Sequence, residues 1–129
     1  MRFVRRVSIA ALLAMLFGAG TALAQKSVHW RALDVKAQLD TDGKLHIVER
    51  HAMVFTGDWN GGERSFRLFP GQKLSFEGIR RLDPTTGAAR DLTSGSLDEV
   101  DRYAFTDATT LRWRSRLPSD PPFENTESV

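Results

Sequence analysis

The stretch Leu33 to Phe55, LDVKAQLDTDGKLHIVERHAMVF, constrains this chain more than any other. Leu33, Val35, Ala37 and Leu39 alternate with Asp34, Lys36 and Gln38. Side chains on a strand point to opposite faces in turn, so this alternation predicts a strand with one apolar face. Asp40-Thr41-Asp42-Gly43 interrupts the run. Asp favours the first position of a type I turn, and Gly tolerates the left-handed conformation that closes it. The residues therefore predict a hairpin with a three-residue loop, Thr41 to Gly43, and Gly43 at the bulge position. In that register Leu39 faces Leu45, Ala37 faces Ile47, Val35 faces Glu49 and Leu33 faces His51. A two-residue turn would slide the pairing by one and set Leu39 and Val35 against His46 and Arg50. A slip of one residue exchanges the faces, so the apolar pattern favours the first register.

Residues 1–24 read as a cleaved signal peptide, a helix ahead of the domain. Arg2, Arg5 and Arg6 form its charged start, Val7 to Phe17 its apolar segment, and Ala22-Leu23-Ala24 the cleavage site. The apolar segment is shorter than the about 20 residues a spanning helix needs. The leader holds three of the 18 basic residues, so 15 basic residues face 16 acidic ones in the remainder. That balance gives no argument for nucleic-acid binding. The chain has no cysteine, which removes disulfides and cysteine-based metal sites. Export without disulfides fits a bacterial envelope, either the periplasm or the outer face of the cytoplasmic membrane.

Residues 25–129 read as one domain. Thr56 to Lys73 is rich in turn signals, Asn60-Gly61-Gly62 and Pro70-Gly71 among them, yet carries Trp59, Phe66, Leu68 and Phe69. It reads as a loop packed over a core edge. Leu74 to Leu82 reads as a strand, with a possible bulge at Gly78, turned by Asp83-Pro84-Thr85-Thr86-Gly87 and returned by Ala88 to Leu92. Leu97 to Phe105 and Leu111 to Leu117 read as further strands, and Pro118, Pro121 and Pro122 then break regular structure. Short strands at close turn spacing predict an all-β antiparallel sandwich, Ig-like in architecture.

Several features in order carry a resemblance: an exported N-terminus, Asp42-Gly43 leading into a strand with Glu49, Asn60-Gly61 with a following Arg64, and late Trp113 and Pro122-Phe123. The chain resembles the N-terminal extracytoplasmic domain of bacterial predicted membrane proteins of domain-of-unknown-function family 2207. The resemblance implies an envelope domain carried on membrane helices that follow it, with no catalytic residue to transfer. This chain stops at Val129 with no such helix, so the domain is expected to be truncated at its C-terminus. The implied partners are its own missing membrane region or another envelope protein.

The candidate chemistry is sparse. His46, Glu49 and His51 suggest zinc, but on a strand Glu49 and His51 share a face and His46 points to the other. Asp40 to Gly43 lacks the spacing of a calcium loop, and turn chemistry explains its residues. No cofactor and no small-molecule substrate is therefore expected. Arg112, Arg114 and Arg116 alternate along one face and form a possible interaction surface; balancing acids across strands would be Asp98, Glu99 or Asp101. The second hairpin strand is apolar on both faces. A bulge near Arg50, a covering loop or a partner surface would each account for this. Glu49 sits among apolar neighbours and needs a cation; Arg64 and Arg67 are the candidates, and Arg64 is expected, pinning the Asn60-Gly61-Gly62 loop over the sheet end. The expected function is a non-enzymatic interaction or sensing module. The alternative is an envelope hydrolase using Glu49 and His51.

Overall fold

The computed structural model describes residues 25–129; the proposed signal peptide lies outside the described residues. The class is all-β, as the turn spacing predicts, with nine strands and no helix among the described residues. The strands are β1 (Ser27–Leu39), β2 (Leu45–Gly57), β3 (Gly61–Ser65), β4 (Arg80–Leu82), β5 (Ala89–Asp91), β6 (Thr93–Ser94), β7 (Arg102–Phe105), β8 (Thr110–Arg114) and β9 (Phe123–Ser128). One sheet has the order β1-β2-β9 and a second the order β3-β8-β7-β6, while β4 and β5 form a separate two-stranded ribbon. All pairings are antiparallel except β6 with β7.

The hairpin forms in the register that its apolar pattern selects. Leu39 pairs with Leu45, Ala37 with Ile47, Val35 with Glu49 and Leu33 with His51. The Asp40 amide donates to the Lys44 carbonyl at 2.8 Å, and the Gly43 amide donates to the Asp40 carbonyl at 3.1 Å. Gly43 has φ 85°, the left-handed conformation that a side chain resists and glycine adopts freely. The ladder runs without interruption past Arg50, so a bulge on β2 there, one of the accounts of its two apolar faces, is absent. The irregularity lies between Trp30 and Ala32, where Arg31 is the extra residue on β1. No glycine or proline flags that position, and Arg31 turns to an ion pair with Glu127 of β9.

The segment after the prolines, expected to be irregular, instead forms β9 and pairs with β2 from Met53 to Phe55 and again at Gly57. This third strand explains part of the two-sided apolar character of β2. Ala52 and Val54 are buried on one face and Phe55 on the other, where its ring meets Trp59 and Phe123 at 6.2 and 5.7 Å. The strand expected from Leu74 is reduced to Arg80–Leu82. Ahead of it, Phe76 packs edge-on against Tyr103 and Phe105, each at 5.3 Å. The Asp83 turn forms as predicted, with the Asp83 carboxylate accepting from the amides of Thr85 and Thr86. Of the loop expected from Thr56 to Lys73, Gly61–Ser65 is strand β3 against β8. A side chain at Gly62 would collide with the Trp113 indole, so this close approach demands glycine.

Candidate functional site

Two features of the hairpin stand out: a carboxylate clasp at its middle and a bare apolar face around it. Glu49 sits on β2 opposite Val35. Arg64 sits on β3 opposite Leu111, the most buried apolar residue described. The Arg64 Nε and Nη2 donate to the two Glu49 oxygens at 3.0 and 2.8 Å. This two-pronged geometry is what a planar guanidinium offers and an ammonium cannot. His51 Nε2 lies 2.8 Å from Glu49 Oε2, and the His51 ring packs 5.1 Å from Trp30. Arg64 also lies 4.9 Å above the Phe66 ring.

The Arg64 hydrogen bonds hold the Glu49 carboxyl down to about 2, against the opposing pull of burial and with further help from His51. The same pairing raises Arg64. A general base works best with a pKa near the operating pH. Glu49 is far from that range and has both oxygens engaged. The side chains of Glu49 and His51 are 23% and 22% exposed, so the pair lies at the sheet surface under partial cover. A shallow groove of about 390 Å³ lies elsewhere, between the β4–β5 ribbon and β9, with Arg81, Arg90 and Glu127 in its lining. His46 is apart from the clasp on the opposite face, 2.7 Å from Asp40.

The three arginines expected to form one stripe have three separate fates. Arg112 is exposed and paired with Glu63 of β3. Arg114 donates to the Leu97 carbonyl. Arg116 is buried, with a side chain 5% exposed. Its Nε donates to the Pro121 carbonyl at 3.1 Å, its Nη1 to Asn60 Oδ1 at 2.8 Å and the Leu117 carbonyl at 3.0 Å, and its Nη2 to Asp58. The stripe is therefore corrected to one exposed ion pair, one half-buried donor and one buried structural cation. The expected balancing acids bind elsewhere: Glu99 pairs with Arg102, and Asp101 with Arg81 and Arg90. Arg116, rather than Arg64, is the residue that fastens Asn60. The signal for this was the three prolines that follow it, because β8 ends at Arg114 and strand alternation no longer applies to Arg116.

Beyond the clasp the hairpin is a two-stranded arm. β9 reaches only Met53 of β2, so among the described residues Leu45 to Ala52 has no third strand. Leu33, Val35 and Leu39 of β1 lie with Leu45 and Ile47 of β2 on one face, 54%, 55%, 69%, 58% and 53% exposed. Asp34, Lys36, Gln38, His46 and Arg50 occupy the other face, with Val48 as its apolar exception. No family model, no curated protein and no solved structure matches this chain.

Proposed function

We propose that this chain is a non-enzymatic interaction or sensing module of the cell envelope, exported by its leader. Its docking element is the apolar face of the hairpin arm. The observation that carries this reading is five aliphatic side chains, each more than half exposed, on one face of a two-stranded arm. Soluble domains rarely leave a contiguous apolar surface of this kind without a use for it. A hairpin alone is marginally stable in water, so the arm gains from a partner that covers it. The candidate partners are another envelope protein and a membrane region of the same protein. The charged tip, Asp40 to Lys44, disfavours burial of the arm end-on in lipid.

The hydrolase alternative draws on the contact between His51 and Glu49. Against it stand the low pKa of Glu49 and the engagement of both its oxygens by Arg64. The test places a photoreactive residue at Ile47, on the apolar face, or at Arg50, on the polar face, in the chain as its cells export it. The expected result is an adduct from Ile47, with another envelope protein or with a membrane region of the same protein, and none from Arg50. No adduct from Ile47, or a hydrolytic activity abolished by Glu49→Gln, would overturn the reading.

A further inference from the structure

The outer edge of β1 is a separate feature from the apolar face of the arm. β1 is the end strand of its sheet, and all 13 of its residues are exposed. Natural sheets defend such an edge with charges, bulges or proline, because its free amides and carbonyls invite another strand. Here Arg31 makes a bulge at one end, but the stretch from Ala32 to Leu39 is regular. The bond from the Asp40 amide to the Lys44 carbonyl fixes which residues of β1 turn their backbone inward. In an antiparallel ladder these alternate, so Asp34, Lys36 and Gln38 bond towards β2. Leu33, Val35, Ala37 and Leu39 direct their amides and carbonyls outward to the open edge.

We propose that this edge pairs with β1 of a second copy of the chain, antiparallel, with Val35 on the two-fold axis. Charge and ladder length together select this register. With Val35 opposite its own copy, Leu33 meets Ala37 of the second copy, and Asp34 meets Lys36 twice by symmetry. The Val35 and Leu33–Ala37 pairs are the hydrogen-bonded ones. Asp34 and Lys36 then fall at the non-hydrogen-bonded positions, where side chains approach most closely. An axis on Gln38 also opposes unlike charges, Lys36 with Asp40, but β1 ends at Leu39, so that ladder runs into the turn and sets Asp34 against Asp42. The remaining registers that keep the faces in order are worse. An axis on Asp34 or on Lys36 opposes like charges, and an axis on Ala37 sets Asp34 against Asp40. An axis on Leu33 runs the ladder into the Arg31 bulge. The two charges that would otherwise guard the edge are thus arranged to accept a symmetry mate and to refuse a shifted one.

The β9 edge of the same sheet is a poorer template. Asn125 within it has φ 50°, and its pairing with β2 is already irregular between Phe55 and Gly57. Its end is also engaged, since the Val129 carbonyl accepts from the Leu82 amide at 2.7 Å.

The test uses the full purified chain and sedimentation over a range of concentrations. Wild type is expected to dimerise. Asp34→Lys and Lys36→Asp each turn two attractions into two repulsions and should each weaken the dimer roughly tenfold or more. Mixing the two single variants should give a heterodimer, because their charges are complementary in this register. The double swap Asp34→Lys/Lys36→Asp should restore the homodimer. The chain has no cysteine of its own, so Val35→Cys reports the axis directly by forming a disulfide between copies on oxidation. A wild type that stays monomeric, or single variants that dimerise as well as wild type, would overturn the proposal. Ile47 adducts with a different protein would then still stand, so failure here is distinct from failure of the docking face.

Discussion

At the scale of single residues, Glu49 is the carboxyl that the fold shifts furthest among the described residues, and Arg64 is the main cause. The carboxyl titrates near 4.5 when free and is held down to about 2 in the fold. Its folded-state pKa is depressed, so its contribution is complete above pH 4.5 and is lost as pH falls from there towards 2. The shift corresponds to at most about 3 kcal/mol, and solvent screening of the partly exposed Arg64 reduces this to roughly 1–2 kcal/mol. Asp42, Asp83 and Asp107 are also held low, chiefly by the Lys44 side chain, the Thr86 amide and the Thr109 amide. The useful quantity is therefore the difference between wild type and Glu49→Gln across that window, measured by denaturant unfolding. It should narrow from about 1–2 kcal/mol at pH 6 towards zero near pH 2. In a double-mutant cycle with Arg64→Ala the two changes should couple by a similar amount. Additive effects, or a difference that does not change with pH, would show that the clasp contributes nothing.

At the scale of elements, β8 and its exit show what alternation can and cannot say. Arg112 lies within the strand, pairs with Glu63 at an exposed position, and its replacement by Ala should cost under about 1 kcal/mol. Arg116 lies past the strand and satisfies two carbonyls, Asn60 and Asp58 from a buried position. Arg116→Ala leaves those acceptors short and should cost about 2–4 kcal/mol by thermal or denaturant unfolding. Arg116→Lys should recover little, because one ammonium cannot span partners arranged around a fork. Equal costs at the two positions would contradict the burial that separates them. The hairpin register was legible because the turn residues and the apolar alternation agree within a few residues of sequence. β9 was not legible, because FENTES is poor in the branched and aromatic residues that favour strands. Its extended form comes from pairing with β2, a contact far away in sequence. The Arg31 bulge carries no local mark either. The Glu49–Arg64 pair lay between these extremes, since the need for a cation follows from the register and Arg64 is the partner expected, but the strand β3 that presents it reads in sequence as part of a loop.

At the scale of the whole molecule, burial is unevenly distributed. The buried apolar side chains, Ala52, Val54, Phe55 and Leu111, gather where β2 meets β9 and at β8. Among the described residues, the arm that carries the register and the exposed aliphatic face is held by its own two strands, by the clasp and by a peripheral approach of His46 to Glu77 at 4.0 Å. Local opening energies follow such differences in covered apolar contact. Hydrogen exchange should therefore divide β2 in two. The amides of Met53 and Phe55, between β1 and β9, should be slow, and those of Leu45 to Val48 should exchange far faster. The clasp marks the boundary, so Glu49→Gln should extend fast exchange towards Ala52 without reaching Phe55. The outward amides of Leu33, Val35 and Ala37 have no partner among the described residues and should exchange at nearly free rates in dilute solution. Raising the protein concentration should slow these three, because a second β1 would accept their protons, while Asp34 and Lys36 change less. Protection that rises evenly along the whole arm would point to non-specific association through the apolar face, and protection that never rises would leave the edge of β1 unpaired.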